Sequence, residues 1–364
     1  MQYRSRPAQA VIDLNALRDN YRLARNLTPN GQVLAVIKAD AYGHGAVQVA
    51  RALDKLAPAF AVACIEEALQ LREAGVRQPI LLLEGPFCVD DLYLAAEHQF
   101  WLMLENPAQI EMTLNTLLPQ PLTIWLKIDT GMHRLGLSAE QAHRWYPKLQ
   151  SCAHIADNII LTSHFACADE LNNDATAKQI AQFEQLQTRY AGAASLANSA
   201  AILGWPAAAK EWNRAGIMLY GASPFMQPHP QADQLKPVMT LQSRVISVRQ
   251  VKQGDKVGYG ASWLAKRDSL IATVAMGYAD GYPRHTPSDT VVMVNGQPAK
   301  LAGRVSMDML GVDVTDVDSI KIGDPVVLWG SELKVTDIAA AAQTISYEVL
   351  TGISARVPRI YIGC

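Results

Sequence analysis

AVIKADAYGHGA, residues 35–46, starts as an apolar strand and changes character at Lys38. A cation stands where burial should end, and Tyr42 and a glycine-bracketed histidine, His44, follow it. The run to which it belongs, VLAVIK, is one of nine between residue 11 and about residue 220: VIDL, VLAVIK, FAVAC, ILLLEG, FWLMLE, LTIWLK, IILTSH, SLANS and GIMLYG. The spacers repeat apolar residues at three and four, as in LNALRDNYRLARNL (14–27) and IAQFEQLQTRY (180–190), which predicts helices between the strands. Strand and helix in alternation predict a parallel sheet, and with this many repeats a (β/α)8 barrel over residues 11–235. Nine runs exceed the eight strands of a barrel, so the first, at residues 10–13, is assigned to the second domain.

After the Pro-rich stretch FMQPHPQADQLKP (225–237) the period changes to alternation, as in SRVISVRQV (243–251) and TVVMVNGQPAKL (290–301). Asn295-Gly296 is a hairpin signal. Residues 236–364 therefore read as a mainly antiparallel β domain with one late helical patch, DIAAAAQTI (337–345). The fold class is α/β, a barrel joined to a β domain.

The chain has 364 residues, 49% hydrophobic, with 32 Lys+Arg against 34 Asp+Glu. That balance gives no basic stripe for nucleic acid, and no apolar run reaches 18 residues, so no membrane partner is expected and the protein reads as cytoplasmic. Five cysteines without CxxC spacing argue against a disulfide framework and a zinc site, and no metal is expected. Cys64, closing FAVAC, reads as a small buried hydrophobe.

Barrel sites lie at the C-terminal ends of the strands, so the polar residues ending the apolar runs are the candidates. They are Lys38, Lys127, His164, Asn198 and Ser199, with Arg214 directly before GIMLYG. A lysine desolvated at an apolar barrel mouth loses its charge more easily, and the neutral amine can condense with an aldehyde, which makes Lys38 a Schiff-base candidate. The glycines around His44 do not make a dinucleotide loop, because the sixth position of GxGxxG falls on Gln48. Arg214-Ala215-Gly216-Ile217 pairs a cation with a residue that lets backbone approach an anion or a ring nitrogen.

AVIKADAYGHG, LKIDTGMHRLG, SHFACADE, NSAA, RAGIMLYG, GYGASW, GYADGYPR, GRVSMDM and ISYEVL resemble, in order and spacing, the bacterial alanine racemase family, and FAVACIEEALQLREAG its catabolic type. The resemblance runs from about residue 10 to the C-terminus. It implies an N-terminal barrel, a C-terminal β domain, pyridoxal 5'-phosphate (PLP) as cofactor, alanine as substrate and a head-to-tail homodimer with shared active sites. It implies that Lys38 holds PLP, that Tyr42, Asn198, Ser199, Gly216, Ile217 and Tyr347 bind the phosphate, that Arg214 faces the ring nitrogen and that His164 supports it. Tyr259 is implied as the second catalytic base, with Met307 and Asp308 at the substrate-carboxylate end, all from the partner chain. Tyr278, Asp169 and Arg304 are implied at the entrance. Arg134 is implied as the carboxylate clamp, held by a carbamate on Lys127. Ser306 departs from the family, many of whose members carry cysteine there. Two other PLP-binding barrels, small homeostasis proteins and decarboxylases, fit less well, because the first lack the β domain and the second use a cysteine-centred motif in place of GRVSMDM. A serine or broad-specificity racemase would differ only in pocket size.

Overall fold

A computed structural model describes residues 5–190 and 192–363 of the chain. Strand β1 (Gln9–Asp13) leads into a helix, Leu14–Leu27, whose start is fixed by Asp13: its carboxylate accepts the Asn15 and Ala16 amides. Eight parallel strands then close a barrel: β2 (Gln32–Val36), β3 (Phe60–Val62), β4 (Ile80–Leu82), β5 (Trp101–Leu104), β6 (Ile124–Lys127), β7 (Ile160–Thr162), β8 (Ala194–Ser195) and β9 (Trp212–Ala215). Closure is made by β9 hydrogen-bonding alongside β2, from Gln32 opposite Trp212 to Ala35 opposite Ala215. Short all-buried strands such as Phe-Ala-Val and Ile-Leu-Leu form here because parallel barrel strands are covered on both faces.

The N-terminal end of the barrel is plugged. Trp101, Trp125 and Trp212, each the first or second residue of its strand, pack their rings 5.3–6.0 Å apart. Only the C-terminal end is left to open onto a cavity.

β10 (Met239–Val251) begins the second unit, an eight-stranded sheet in which β1 lies between β10, to which it is antiparallel, and the last strand, Arg359–Ile362, to which it is parallel. The remaining pairings of this sheet are antiparallel. Because β1 is covalently continuous with the first barrel helix, the sheet and the barrel are tied together at both ends of the chain.

Three readings of the sequence are corrected. GIMLYG is not a strand: Ile217–Tyr220 is a 3-10 turn, and β9 is the preceding Trp-Asn-Arg-Ala, whose Asn213 and Arg214 are buried. The C-terminal unit has two helices in place of one, Val335–Ala341 and Ser346–Thr351. Cys64 is only partly buried and stands at the N-cap position of the helix Ile65–Glu73, without a side-chain capping bond.

Candidate active site

The open end of the barrel holds a cavity of about 690 Å³. Lys38, Tyr42, Lys127, Arg134, His164, Asn198, Ser199, Arg214, Gly216, Ile217 and Tyr347 all line it. All but Tyr347 come from the ends of five barrel strands and the segments after them, which barrel closure gathers, and Tyr347 is added by the C-terminal helix Ser346–Thr351.

Lys38 lies two residues past the end of β2, and the backbone after it turns the wrong way. Ala39, Asp40, Ala41 and Tyr42 have φ of 52–54°, a left-handed helical turn built without glycine. Its hydrogen bonds are those of a turn, Ala41 N–H to Ile37 O at 2.9 Å and Gly43 N–H to Ala39 O at 3.0 Å. Each L-residue in this region costs about 1–2 kcal/mol, so neighbours must hold it. The Glu67 carboxylate accepts the Ala39 and Ala63 amides at 2.6 and 2.8 Å, and Asp40 accepts the Ala46 amide at 2.7 Å. The result is that Lys38 and Tyr42 both face the cavity.

Tyr42 stacks on Tyr220 with ring centres 4.7 Å apart and lies 6.0 Å from the Tyr347 ring. Burial pushes both phenols up, Tyr347 to about 12, so both are neutral donors at physiological pH. Ser199 Oγ accepts the Gly216 N–H at 2.8 Å, and a Cβ on Gly216 would stand 2.8 Å from the Tyr42 hydroxyl. A hydroxyl, a second phenol and bare backbone thus converge around a glycine that leaves room for an anion.

Arg214 is buried and held from four sides. Its Nη1 donates to Ser195 Oγ at 2.6 Å and Thr162 Oγ1 at 3.1 Å, and its Nη2 to the carbonyls of Ser163 at 2.7 Å and Leu196 at 3.2 Å. Nη2 also donates to His164 Nδ1 at 3.3 Å, which places the histidine's proton on Nε2. Burial lowers the arginine to about 10, still cationic at neutral pH. Burial first, and then the charges of Arg214, Arg134, Lys127 and Lys38, hold His164 well below its ordinary value.

Lys127 ends β6, and its Nζ lies 2.9 Å from Glu105 Oε1 in the cavity wall. Burial lowers the lysine and raises the carboxyl, each opposed by the other's charge. Glu105 ends FWLMLE, Glu84 stands one residue before the end of ILLLEG, and both line the cavity, although neither was among the sequence candidates. The rule that singled out Lys38 and Lys127 would have found them. Glu348 and Thr351, beside Tyr347 on a C-terminal helix, also line the cavity without a signal in the sequence.

The other candidates stand elsewhere on this chain. Asp169 lines an adjoining cavity that also touches Asn198 and Tyr347. Tyr259, Tyr278, Arg304, Met307 and Asp308 belong to the β sheet's loops and do not line the barrel cavity of their own chain. They share one surface: Tyr278 and Ala279 amides donate to Ser306 and Met307 carbonyls at 3.0 and 2.9 Å, and a Cβ on Gly260, beside Tyr259, would stand 3.3 Å from the Arg304 guanidinium. Tyr259 is 69% exposed and Met307 53%, with Tyr278 and Met309 also exposed, so large side chains lie open together along this surface.

Residues 12–224 match the family described as alanine racemase, N-terminal domain, and residues 238–361 the alanine racemase, C-terminal domain. The chain belongs to the alanine racemase family. An alanine racemase of Pseudomonas taetrolens is 54% identical over 98% of this chain and 99% of its own length. A catabolic alanine racemase of Pseudomonas putida is 52% identical over the same shares. Among solved structures, the biosynthetic alanine racemase of Pseudomonas aeruginosa superposes with a TM-score of 0.95 at 47% identity, covering 98% of this chain and 100% of that one. Among the described residues no helix is long and apolar enough to cross a membrane, and no cluster of side chains suits a metal ion.

Proposed function

We propose that this chain carries out its family's reaction, the interconversion of L-alanine and D-alanine, with two bases: Lys38 of one subunit and Tyr259 of the partner subunit. The observation that carries the proposal is the left-handed turn that sets Lys38 and Tyr42 against one cavity whose wall also holds Arg214.

The residues present fit PLP. Tyr42, Ser199, Gly216, Ile217 and Tyr347 form an anion cradle that a single Cβ at Gly216 would fill, Lys38 supplies the amine, and Arg214 supplies a cation suited to a ring nitrogen. When bound, PLP withdraws electrons from the substrate and makes its Cα–H acidic enough for a side chain to remove.

Racemisation needs a proton removed from one face of Cα and returned on the other, hence two bases on opposite sides. Lys38 serves one face and Tyr259 of the partner subunit the other, which accounts for a tyrosine left exposed on a single chain. Arg134 orients the substrate carboxylate. Arg214, fixed by two hydroxyls and two carbonyls, keeps its proton, so no proton is passed to the ring nitrogen from that side. Met307 and Asp308 of the partner subunit stand at the substrate-carboxylate end, while Tyr278 and Arg304 of the partner subunit, with Asp169, narrow the approach and keep out water. The unit that works is therefore a head-to-tail homodimer.

The test is a chiral assay of L-alanine run with untreated and borohydride-treated holoenzyme, with L-serine and L-lysine alongside. The expected result is a racemic mixture from L-alanine, activity lost after borohydride, and reduced cofactor on the peptide holding Lys38. Recovery of the adduct on another lysine, or racemisation untouched by borohydride, would overturn the assignment.

A further inference from the structure

His44 is buried completely and is not among the residues lining the barrel cavity. Its Nδ1 lies 3.0 Å from Ala41 O and 2.9 Å from Tyr42 O, two carbonyls that can only accept, so Nδ1 carries the proton. Nε2 has no partner among the described residues, which is an unusual cost for a buried ring nitrogen. A histidine that leaves one nitrogen unpaired to place the other on two carbonyls is held for those carbonyls. They are the last two of the left-handed turn that joins Lys38 to Tyr42.

The ring also stacks on Tyr220 at 4.6 Å, and Tyr220 stacks on Tyr42 and donates its hydroxyl to Val36 O at 2.9 Å. One imidazole therefore touches the end of the turn and, through Tyr220, the strand before it. From outside, the last strand of the β sheet grips the next two carbonyls: Arg359 Nε donates to Gly43 O at 2.9 Å and the Tyr361 hydroxyl to His44 O at 3.1 Å. A Cβ on Gly45 would stand 1.9 Å from that hydroxyl, so the chain is stripped to glycine for the contact.

We infer that His44, with the Tyr361 hydroxyl on its carbonyl, is a positioning residue that locks the strained turn and so fixes the Lys38 amine and Tyr42 phenol relative to one another. The inference rests on the PLP reading above for its cofactor readout, and on the turn alone for its exchange readout. The left-handed turn is uphill for four L-residues, and the two imidazole contacts are what an unlocked chain would lack. Without them the turn relaxes, and the two groups that would hold the cofactor's aldehyde carbon and its phosphate no longer stand at a fixed separation.

The experiment compares His44→Leu, His44→Asn and Tyr361→Phe with the wild-type chain. Leucine fills space but cannot donate; asparagine places an N–H near Nδ1. Three quantities are read: melting temperature, the PLP dissociation constant of the cofactor-free protein, and amide hydrogen exchange over residues 39–45 in that same protein. His44→Leu is expected to weaken PLP at least about tenfold and to speed exchange at 41–45, with His44→Asn within about threefold of wild type on both. Tyr361→Phe is expected to weaken PLP about threefold and keep the melting temperature, and it decides the matter should His44→Leu fail to fold. Wild-type affinity and exchange in His44→Leu, or in Tyr361→Phe where the leucine variant is insoluble, would overturn the inference. So would equal losses of melting temperature and affinity in the leucine and asparagine variants, which would mark the ring as packing only. If the wild-type chain itself bound no PLP, the cofactor reading would fail, while faster exchange in the variants would still support the lock.

Discussion

The Lys127 ammonium meets the Glu105 carboxylate at 2.9 Å inside the wall of the barrel cavity, with both side chains nearly buried. Burial favours the neutral form of each, lowering the lysine and raising the carboxyl. A neutral amine is the form that reacts with carbon dioxide, and a protonated Glu105 could then donate to the carbamate that results. The pair therefore suits the proposed carbamate on Lys127, whose negative charge would hold Arg134.

Carbon NMR of the enzyme equilibrated with labelled bicarbonate should show one carbamate signal, absent in Lys127→Ala. That variant should lose roughly a hundredfold in kcat/KM, about 2.7 kcal/mol, and recover part of it with added acetate. An enzyme of full activity that shows no carbamate signal would leave Lys127 as the plain partner of Glu105.

At the anion cradle, Gly216→Ala is a narrow probe. The added methyl would come within 2.8 Å of the Tyr42 hydroxyl and 3.7 Å of Ser199 Oγ, while the nearby backbone keeps its bonds. PLP affinity should fall by about ten- to a hundredfold, with a melting temperature of the cofactor-free protein within a few degrees of wild type. An unchanged dissociation constant would move the phosphate elsewhere in the cavity.

Two histidines, His44 fully buried and His164 partly buried in the cavity wall, give stability a pH dependence. Burial lowers His44 to about 4 and, with the surrounding cations, His164 well below its ordinary value. An unfolded histidine titrates near 6.5, so on acidification the unfolded chain takes up protons before the folded one does. Stability is thus fully present above about pH 6.5 and falls as pH drops from there toward 4, by up to about 1.4 kcal/mol per pH unit for each histidine. Urea unfolding of the cofactor-free protein at pH 7.5, 6 and 5 should show the loss, and His44→Asn should reduce the slope by about one proton. A flat profile from pH 7.5 to 5 would contradict the neutral assignment.

Much of this architecture was readable because parallel barrel strands are buried on both faces and show as apolar runs. The same rule failed at β9, where Asn213 and Arg214 stand inside the strand and interrupt the pattern, while the apolar GIMLYG after it is a 3-10 turn packed in the core. The left-handed turn was hidden for a different reason: Ala39, Asp40, Ala41 and Tyr42 contain no glycine, so nothing local marks a positive φ. It exists because Glu67 and the strand carrying Arg359 and Tyr361 hold it from two distant segments and the His44 ring closes on its last carbonyls. Glu84 and Glu105 were legible by the same rule as Lys38 and Lys127, since each closes an apolar run at the open end of the barrel. No pattern marks Tyr259 as exposed, because exposure on one chain becomes informative only beside a second.

That exposure sets the final prediction. Lys38 lines the barrel cavity of its own chain, whereas Tyr259 stands on the β sheet's loops outside that cavity. If Tyr259 serves the partner's cavity, inactive Lys38→Ala and Tyr259→Ala chains should complement each other. In a mixed dimer one site collects both lesions and the other has a wild-type lysine and a wild-type tyrosine. Random exchange makes about half the dimers mixed, each with one working site of two, so activity should return to roughly a quarter of wild type under two-fold symmetry. Were both groups supplied by one chain, every site would keep a lesion. An exchanged sample, shown by native mass to be mixed and still as inactive as its parents, would put Tyr259 to work in its own subunit or not at all.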